Sequence, residues 1–334
     1  MTTFVALGDS ITLGVGDPVR LPSGRAWRGW AALLAEGLRD PSLHILASSG
    51  ARLADVERDQ LPSALRLRPD IASVVVGVND TLRANFDVAQ VAAAAAHTVG
   101  ALRAAGAEVL TMRLPDPGWM LGLPGSLARP LARRMHEVNA AMDAVAERFG
   151  TLHYDAARDV EGRDPRMWAV DRLHPSERGH RLIACRYHDK LAAAGLLTGP
   201  RPDPEPSNPP PTRLAEIGWL ATKGTAWVLR RSIDLVPGML ALAMREWWSG
   251  ERPDLGERGH RAAADVLRPD AAGVLGPDAA GALEPGRLEP ASAIDVLEPD
   301  LAVDVLRPAT EIDLLALSAT MERVAARRRV PQAP

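Results

Sequence analysis

The 334-residue sequence predicts a parallel α/β sandwich, a five-stranded sheet with helices on both faces, occupying residues 1–198. Two observations predict it. Short apolar runs rich in β-branched residues alternate strictly with stretches of helical length, the pattern of parallel strands joined by right-handed crossovers. The alternation then stops at Leu197, where a proline-dense stretch begins.

Taken in order, TFVAL at 3–7 reads as the first strand, and the Ala- and Leu-rich 30–38 as a helix. HILA at 44–47 is the second strand and IASVVVG at 71–77 the third. The Ala-rich 88–105 is a helix leading to the strand EVLTM at 108–112. A helix over 129–148, the strand TLHY at 151–154 and a helix over 176–194 complete the set. Trp27 and Trp30 are expected in the core or at a helix entry. In open sheets of this class ligands bind beyond the carboxyl ends of the strands, so the residues just after each strand deserve inspection.

GPRPDPEPSNPPP at 199–211 cannot form a helix or central strand and reads as a stiff linker. Residues 212–250 read as an amphipathic helical segment interrupted at Pro237-Gly238, with Trp219 and Trp227 within it and Trp247 and Trp248 at its far end. Over 251–334 a degenerate Leu-x-Pro unit recurs (DVLRPD, GVLGPD, DVLEPD) and no aromatic occurs, so a low-complexity, mostly disordered tail is expected, with a short helix over 311–328.

A net charge of −3 gives no reason to expect nucleic acid as a partner. The lone Cys185 excludes an intramolecular disulfide framework and reads as a small buried residue. The start, MTTFVALGDS, has no basic n-region or long apolar run, so a cytoplasmic, soluble protein is expected.

The strand ends carry polar chemistry. Gly8-Asp9-Ser10 puts a hydroxyl at a strand-to-helix turn, where unpaired N–H groups stabilise developing negative charge. Ser48-Ser49-Gly50 offers a backbone N–H, and Gly77-Val78-Asn79-Asp80 a side-chain amide donor. Asp171-Arg172-Leu173-His174-Pro175 sets a carboxylate and an imidazole on one turn, so that one ring nitrogen can donate to Asp171 while the other faces a nucleophile. Taken singly, these are an ordinary turn, a turn or helix cap, an N-cap and a local surface pair. Taken together, they supply the parts of an acyl-transfer site: nucleophile, backbone donor, side-chain donor and oriented base.

GDSITLG from Gly8, SSGARLADV from Ser48, GVND from Gly77 and DRLHPSERGH from Asp171 closely resemble the four sequence blocks of the SGNH hydrolases, also called GDSL esterases and lipases. The resemblance covers roughly residues 1–198 and implies a flavodoxin-like three-layer α/β/α fold. It also implies a serine ester hydrolase with Ser10, His174 and Asp171 as triad, Ser10, Gly50 and Asn79 as oxyanion donors, and no metal or cofactor. GVGDPVRLPSGRAWRGWA is similar to the variant common in actinobacterial members.

A small-molecule ester is the expected substrate. The loop 115–127 carries Trp119 and Met120, which either line an acyl site or simply pack on the domain. Two rival readings stand beside hydrolysis. One is acyl transfer to an alcohol by the same triad; the other is a lipid-surface or protein-binding module acting through the 212–250 segment, whose apolar face suits peripheral membrane association or docking onto its own domain. His180 and His188 read as core or surface residues, not metal ligands. ERGHR at 177–181 recurs at 257–261 without the preceding Asp-x-x-His-Pro, so the second copy is expected to have no activity.

Overall fold

The computed structural model describes residues 1–19, 27–83, 85–123, 125–196, 199–209 and 257–267. The expected helical segment 212–250 and short helix 311–328 lie outside the described residues.

The five strands are β1 Thr2–Gly8, β2 Pro41–Ile45, β3 Ile71–Val75, β4 Glu108–Arg113 and β5 Leu152–Asp155. They form one parallel sheet in the order β2-β1-β3-β4-β5. From β1 the chain first steps outward to β2 and then returns to the other side of β1 for β3. The loops that follow β1 and β3 therefore diverge, leaving a crevice at this switch point. β2 begins three residues earlier than expected, with Pro41 opposite Thr2. Pro is tolerated there because it opens an edge strand and needs no ladder donor.

The described helices are α1 Ser10–Leu13, α2 Gly29–Ala35, α3 Leu53–Asp55, α4 Leu61–Arg66, α5 Val78–Thr81, α6 Val88–Ala104, α7 Pro117–Met120, α8 Gly125–Phe149, α9 Glu177–Ala193 and α10 Glu257–Val266. Between α3 and α4 the helix continues through a π-helical turn, Val56–Gln60. α2 packs on α9, while α4 and α8 flank α6. Trp30 is fully buried in the core, where its ring lies 5.2 Å from that of Tyr187 and 6.4 Å from Phe4. The Tyr187 hydroxyl donates to the Thr111 carbonyl at 2.8 Å, tying α9 to β4.

Within the stretch expected as tail, α10 lies across α6 and α8. Ala263 is fully buried with Ala92 and Ala141, because small residues let three helices approach closely. Both copies of the ERGHR motif put glycine at a tight contact. A Cβ on Gly179 would lie 2.2 Å from the Met167 carbonyl, and one on Gly259 2.1 Å from that of Glu137.

Residues 199–208 are bonded to the domain. The Gly199 N–H donates to the Gly37 carbonyl, the Cys185 thiol to that of Pro202, and Arg181 to that of Asp203. The proline density excludes helix, as expected, but leaves the carbonyls free to accept.

Candidate active site

β1 ends at Gly8, whose φ is +150°; a Cβ there would lie 2.3 Å from the Val75 carbonyl, so only glycine fits. The chain then turns into α1, with the Asp9 carboxylate capping it by accepting from the Ile11 N–H at 2.9 Å. Ser10 is the first residue of that helix. Its Oγ lies 2.8 Å from His174 Nε2 although 164 positions separate them.

His174 sits in the loop before α9, with Ser176 capping the helix through the Gly179 N–H. Its Nδ1 lies 2.5 Å from Asp171 Oδ2. The other oxygen of Asp171 accepts from the backbone N–H groups of Leu173 at 2.9 Å and His174 at 3.0 Å. Burial pushes the Asp171 carboxyl up, but the imidazole of His174 and these hydrogen bonds outweigh it and hold the group below the usual carboxylate range. An ionised Asp171 on Nδ1 favours the tautomer in which Nε2 accepts from Ser10.

Asn79 follows β3 on α5, across the crevice from Ser10. Its amide donates to Asp9 Oδ2 at 3.0 Å and to the Ala51 carbonyl at 3.2 Å, tying the turns after β1 and β2 together. Gly50, adjacent to Ala51, has a φ of +79°. Of the residues singled out in the sequence, Ser10, His174 and Asp171 are thus joined directly. Asn79 is bonded beside them to Asp9, and to the loop that carries Gly50.

Trp119 and Met120 divide. Met120 is buried in the wall of an apolar cavity of about 510 Å³, whereas Trp119 is half exposed and outside that wall. The cavity is also lined by Ile11, Val78, Leu114 and Pro175. Three of these are chain neighbours of Ser10, Asn79 and His174. Beyond the Asn79 turn, a second, polar cavity of about 380 Å³ is lined by Arg52, Asp80, Arg83 and Asp87 among others.

His180 is fully buried: Nε2 donates to the Val15 carbonyl and Nδ1 accepts from the Trp30 N–H. Burial lowers it to about 4, so this imidazole is a neutral structural bridge. Cys185 is buried, as expected.

Two buried groups beside the site had no functional reading in the sequence. Asp9 is pushed up to about 6 by burial, against the pull of the Ile11 N–H, the His174 imidazole and the Asn79 amide. Gln60 brackets the peptide groups of Gly8: its Oε1 accepts from the Gly8 N–H at 2.8 Å and its Nε2 donates to the Gly8 carbonyl at 2.9 Å. Asp9 could have been found in the Gly-Asp-Ser turn as a helix cap, whereas a glutamine in a helical stretch carries no such signal.

Residues 6–182, more than half of the chain, match the model of a family described as GDSL-like lipase/acylhydrolase. Among solved structures, the chain is similar to an α/β hydrolase enzyme from the metagenome of Lake Arreo, Spain, at 25% identity over 59% of this chain and 97% of that one, with a TM-score of 0.47. It is also similar to a lipase/acylhydrolase from Enterococcus faecalis, at 16% identity over 60% and 99% of the two chains, with a TM-score of 0.44. An acetylxylan esterase from Geobacillus stearothermophilus is similar at 20% identity over 57% and 94%, again with a TM-score of 0.44. No curated protein matches.

Proposed function

Because the chain belongs to the GDSL-like lipase/acylhydrolase family and is a carboxylic ester hydrolase, we propose that it works through an acyl-enzyme on Ser10, with His174 as general base and Asp171 as its orienting carboxylate. The observation that carries this reading is the continuous relay from Ser10 Oγ to His174 Nε2 at 2.8 Å and from His174 Nδ1 to Asp171 Oδ2 at 2.5 Å.

Ser10 Oγ attacks the ester carbonyl carbon as its proton passes to His174 Nε2, and Asp171 stabilises the imidazolium so formed. The carbonyl oxygen becomes an oxyanion that accepts from the backbone N–H groups of Ser10 and Gly50. Asn79 supplies the third donor by exchanging its bond to the Ala51 carbonyl for one to the oxyanion. The C–O bond to the alcohol then breaks, and the alcohol leaves with the proton from His174. Water, deprotonated by the same imidazole, attacks the acyl-enzyme and releases the acid and Ser10.

The acyl part occupies the apolar cavity, which is lined by chain neighbours of Ser10, Asn79 and His174. The polar cavity beyond Asn79 receives the alcohol part. The test is a p-nitrophenyl ester assay on wild type and Ser10→Ala together with a fluorophosphonate probe. Hydrolysis should vanish in a folded Ser10→Ala protein, and the probe should label the peptide containing Ser10. Full activity in that variant, or labelling elsewhere, would overturn the reading.

A further inference from the structure

We propose that Gln60 is a positioning residue for ester hydrolysis, fixing the turns that carry the Ser10 and Gly50 donors by supplying the acceptor for the Gly8 N–H that β2 no longer offers and a second donor to the Gly8 carbonyl. This rests on the reading of Ser10 as nucleophile.

The edge strand β2 ends at Ile45, while its neighbour β1 runs on to Gly8. The Leu46 N–H still donates to the Ala6 carbonyl at 2.9 Å, after which the chain leaves the sheet. The Ser48 N–H still reaches the Gly8 carbonyl at 3.2 Å, but the Gly8 N–H lies past the last β1–β2 pair, and a buried backbone donor must find an acceptor. The carboxamide of Gln60, itself buried, supplies both halves: an acceptor for the Gly8 N–H and a donor for the Gly8 carbonyl. A peptide unit of a neighbouring strand would present the same pair.

The same carboxamide reaches the second turn. Gln60 Nε2 lies 3.4 Å from Ser48 Oγ, and the Gly8 carbonyl accepts a second bond from the Ser48 N–H at 3.2 Å. Gly8 is two residues before Ser10, and Ser48 two residues before Gly50. One side chain thereby ties together the starts of both turns whose N–H groups face the oxyanion in the proposed mechanism.

Gln60 closes the π-helical turn Val56–Gln60 and lies on the inward stripe of this helical stretch, with Leu53, Val56 and Ala64 buried at spacings of three and four residues around it.

A donor displaced by a fraction of an ångström binds the ground state about as well but stabilises the transition state less, so the loss should fall on kcat. Gln60→Met and Gln60→Glu in the full chain test this. The methionine keeps the length and makes neither bond; the glutamate keeps the acceptor for the Gly8 N–H and, ionised, loses the donor to its carbonyl. With a short p-nitrophenyl ester we expect kcat to fall roughly 10- to 100-fold in Gln60→Met, less in Gln60→Glu, with KM little changed. The fluorophosphonate labelling rate of Ser10 should fall with it. Thermal melts give the folded fraction. Variants that melt lower but keep wild-type kcat per folded molecule would overturn the proposal, as would failure of both to fold. If only Gln60→Met fails to fold, the kcat of Gln60→Glu decides: reduced at unchanged KM supports the proposal, and unchanged overturns it. Wild type labelled away from Ser10 would instead overturn the nucleophile reading, whereas wild type labelled at Ser10 with undiminished rates in the variants would sink Gln60 alone.

Discussion

The amide of Asn79 donates to the carboxylate of Asp9 at 3.0 Å, joining the ends of β3 and β1 across 70 positions of chain. Asp9→Asn should uncouple them. The new side chain can keep its oxygen on the Ile11 N–H, but its NH₂ then faces the NH₂ of Asn79. We expect kcat on a short ester to fall about tenfold or more, since a weakened oxyanion donor acts mainly in the transition state; steady-state kinetics at pH 8 check it.

The same variant makes a stability prediction with a sign. Burial raises the Asp9 carboxyl from 3.8 to about 6, so between these values the native state holds a proton that the unfolded chain has released. This group's contribution is fully present below pH 3.8 and is lost as pH rises through about 6. Asparagine does not titrate. The melting temperature of Asp9→Asn relative to wild type should therefore improve from pH 4 to pH 7. A difference that does not change with pH would show that Asp9 does not titrate in that window.

His174→Ala should reduce hydrolysis to background, because no other base touches Ser10 Oγ among the described residues. Asp171→Asn should keep a measurable remainder, roughly 10³- to 10⁴-fold below wild type, since the base survives while its tautomer is no longer enforced. Single-turnover assays with a p-nitrophenyl ester separate the two. An Asp171→Asn protein as active as wild type would reduce the relay to a pair.

Met120 and Trp119 are neighbours with different surroundings, and they should behave differently. Met120→Trp adds bulk to the apolar wall, so the ratio of kcat/KM for the octanoate over the acetate p-nitrophenyl ester should drop about tenfold. Trp119→Ala should leave that ratio unchanged. Equal effects would move the acyl site out of this cavity.

Much of this was legible in advance because the signals were local. The strand-helix alternation marked the sheet, and the rule that ligands sit beyond strand ends brought together Ser10, Asn79 and His174, which are far apart in sequence. What stayed hidden depended on tertiary context. Gln60 lies on the inward stripe with Leu53, Val56 and Ala64, but a glutamine there carries no apolar signal to show that it is buried against Gly8. Pro41 was passed over as a strand start because the apolar run begins later. Glu257–Val266 looked like tail because its packing face is built from alanines, which read as weakly apolar until helices with matching alanines lie opposite.

The last prediction concerns where the folded unit ends. Glu177, the first residue of α9 and three positions after His174, is a buried carboxylate with five donors. One oxygen accepts from Arg28 at 3.1 Å, Arg181 at 3.2 Å and the Ser207 N–H at 2.7 Å. The other accepts from the backbone N–H of Asn208 at 3.0 Å and its side-chain amide at 2.9 Å. Burial opposes the charge, but the bonds from Ser207 and Asn208, with Arg181, more than offset it and hold the carboxyl at about 2. A chain ended after Thr198 loses three of these five donors; one ended after Pro209 keeps them all. At pH 7 the shorter chain should melt several degrees lower, since each kcal/mol is worth roughly 2–4 °C in a domain of this size. Because the carboxyl is depressed from 4.5, its contribution is present above that value and disappears as pH falls through about 2. The gap between the two chains should therefore narrow on acidification from pH 5. Equal melting temperatures at pH 7 would return the boundary to residue 198. A gap that stayed constant with pH would mean that the 199–208 segment stabilises the domain through Gly37, Cys185 and Arg181 instead of Glu177.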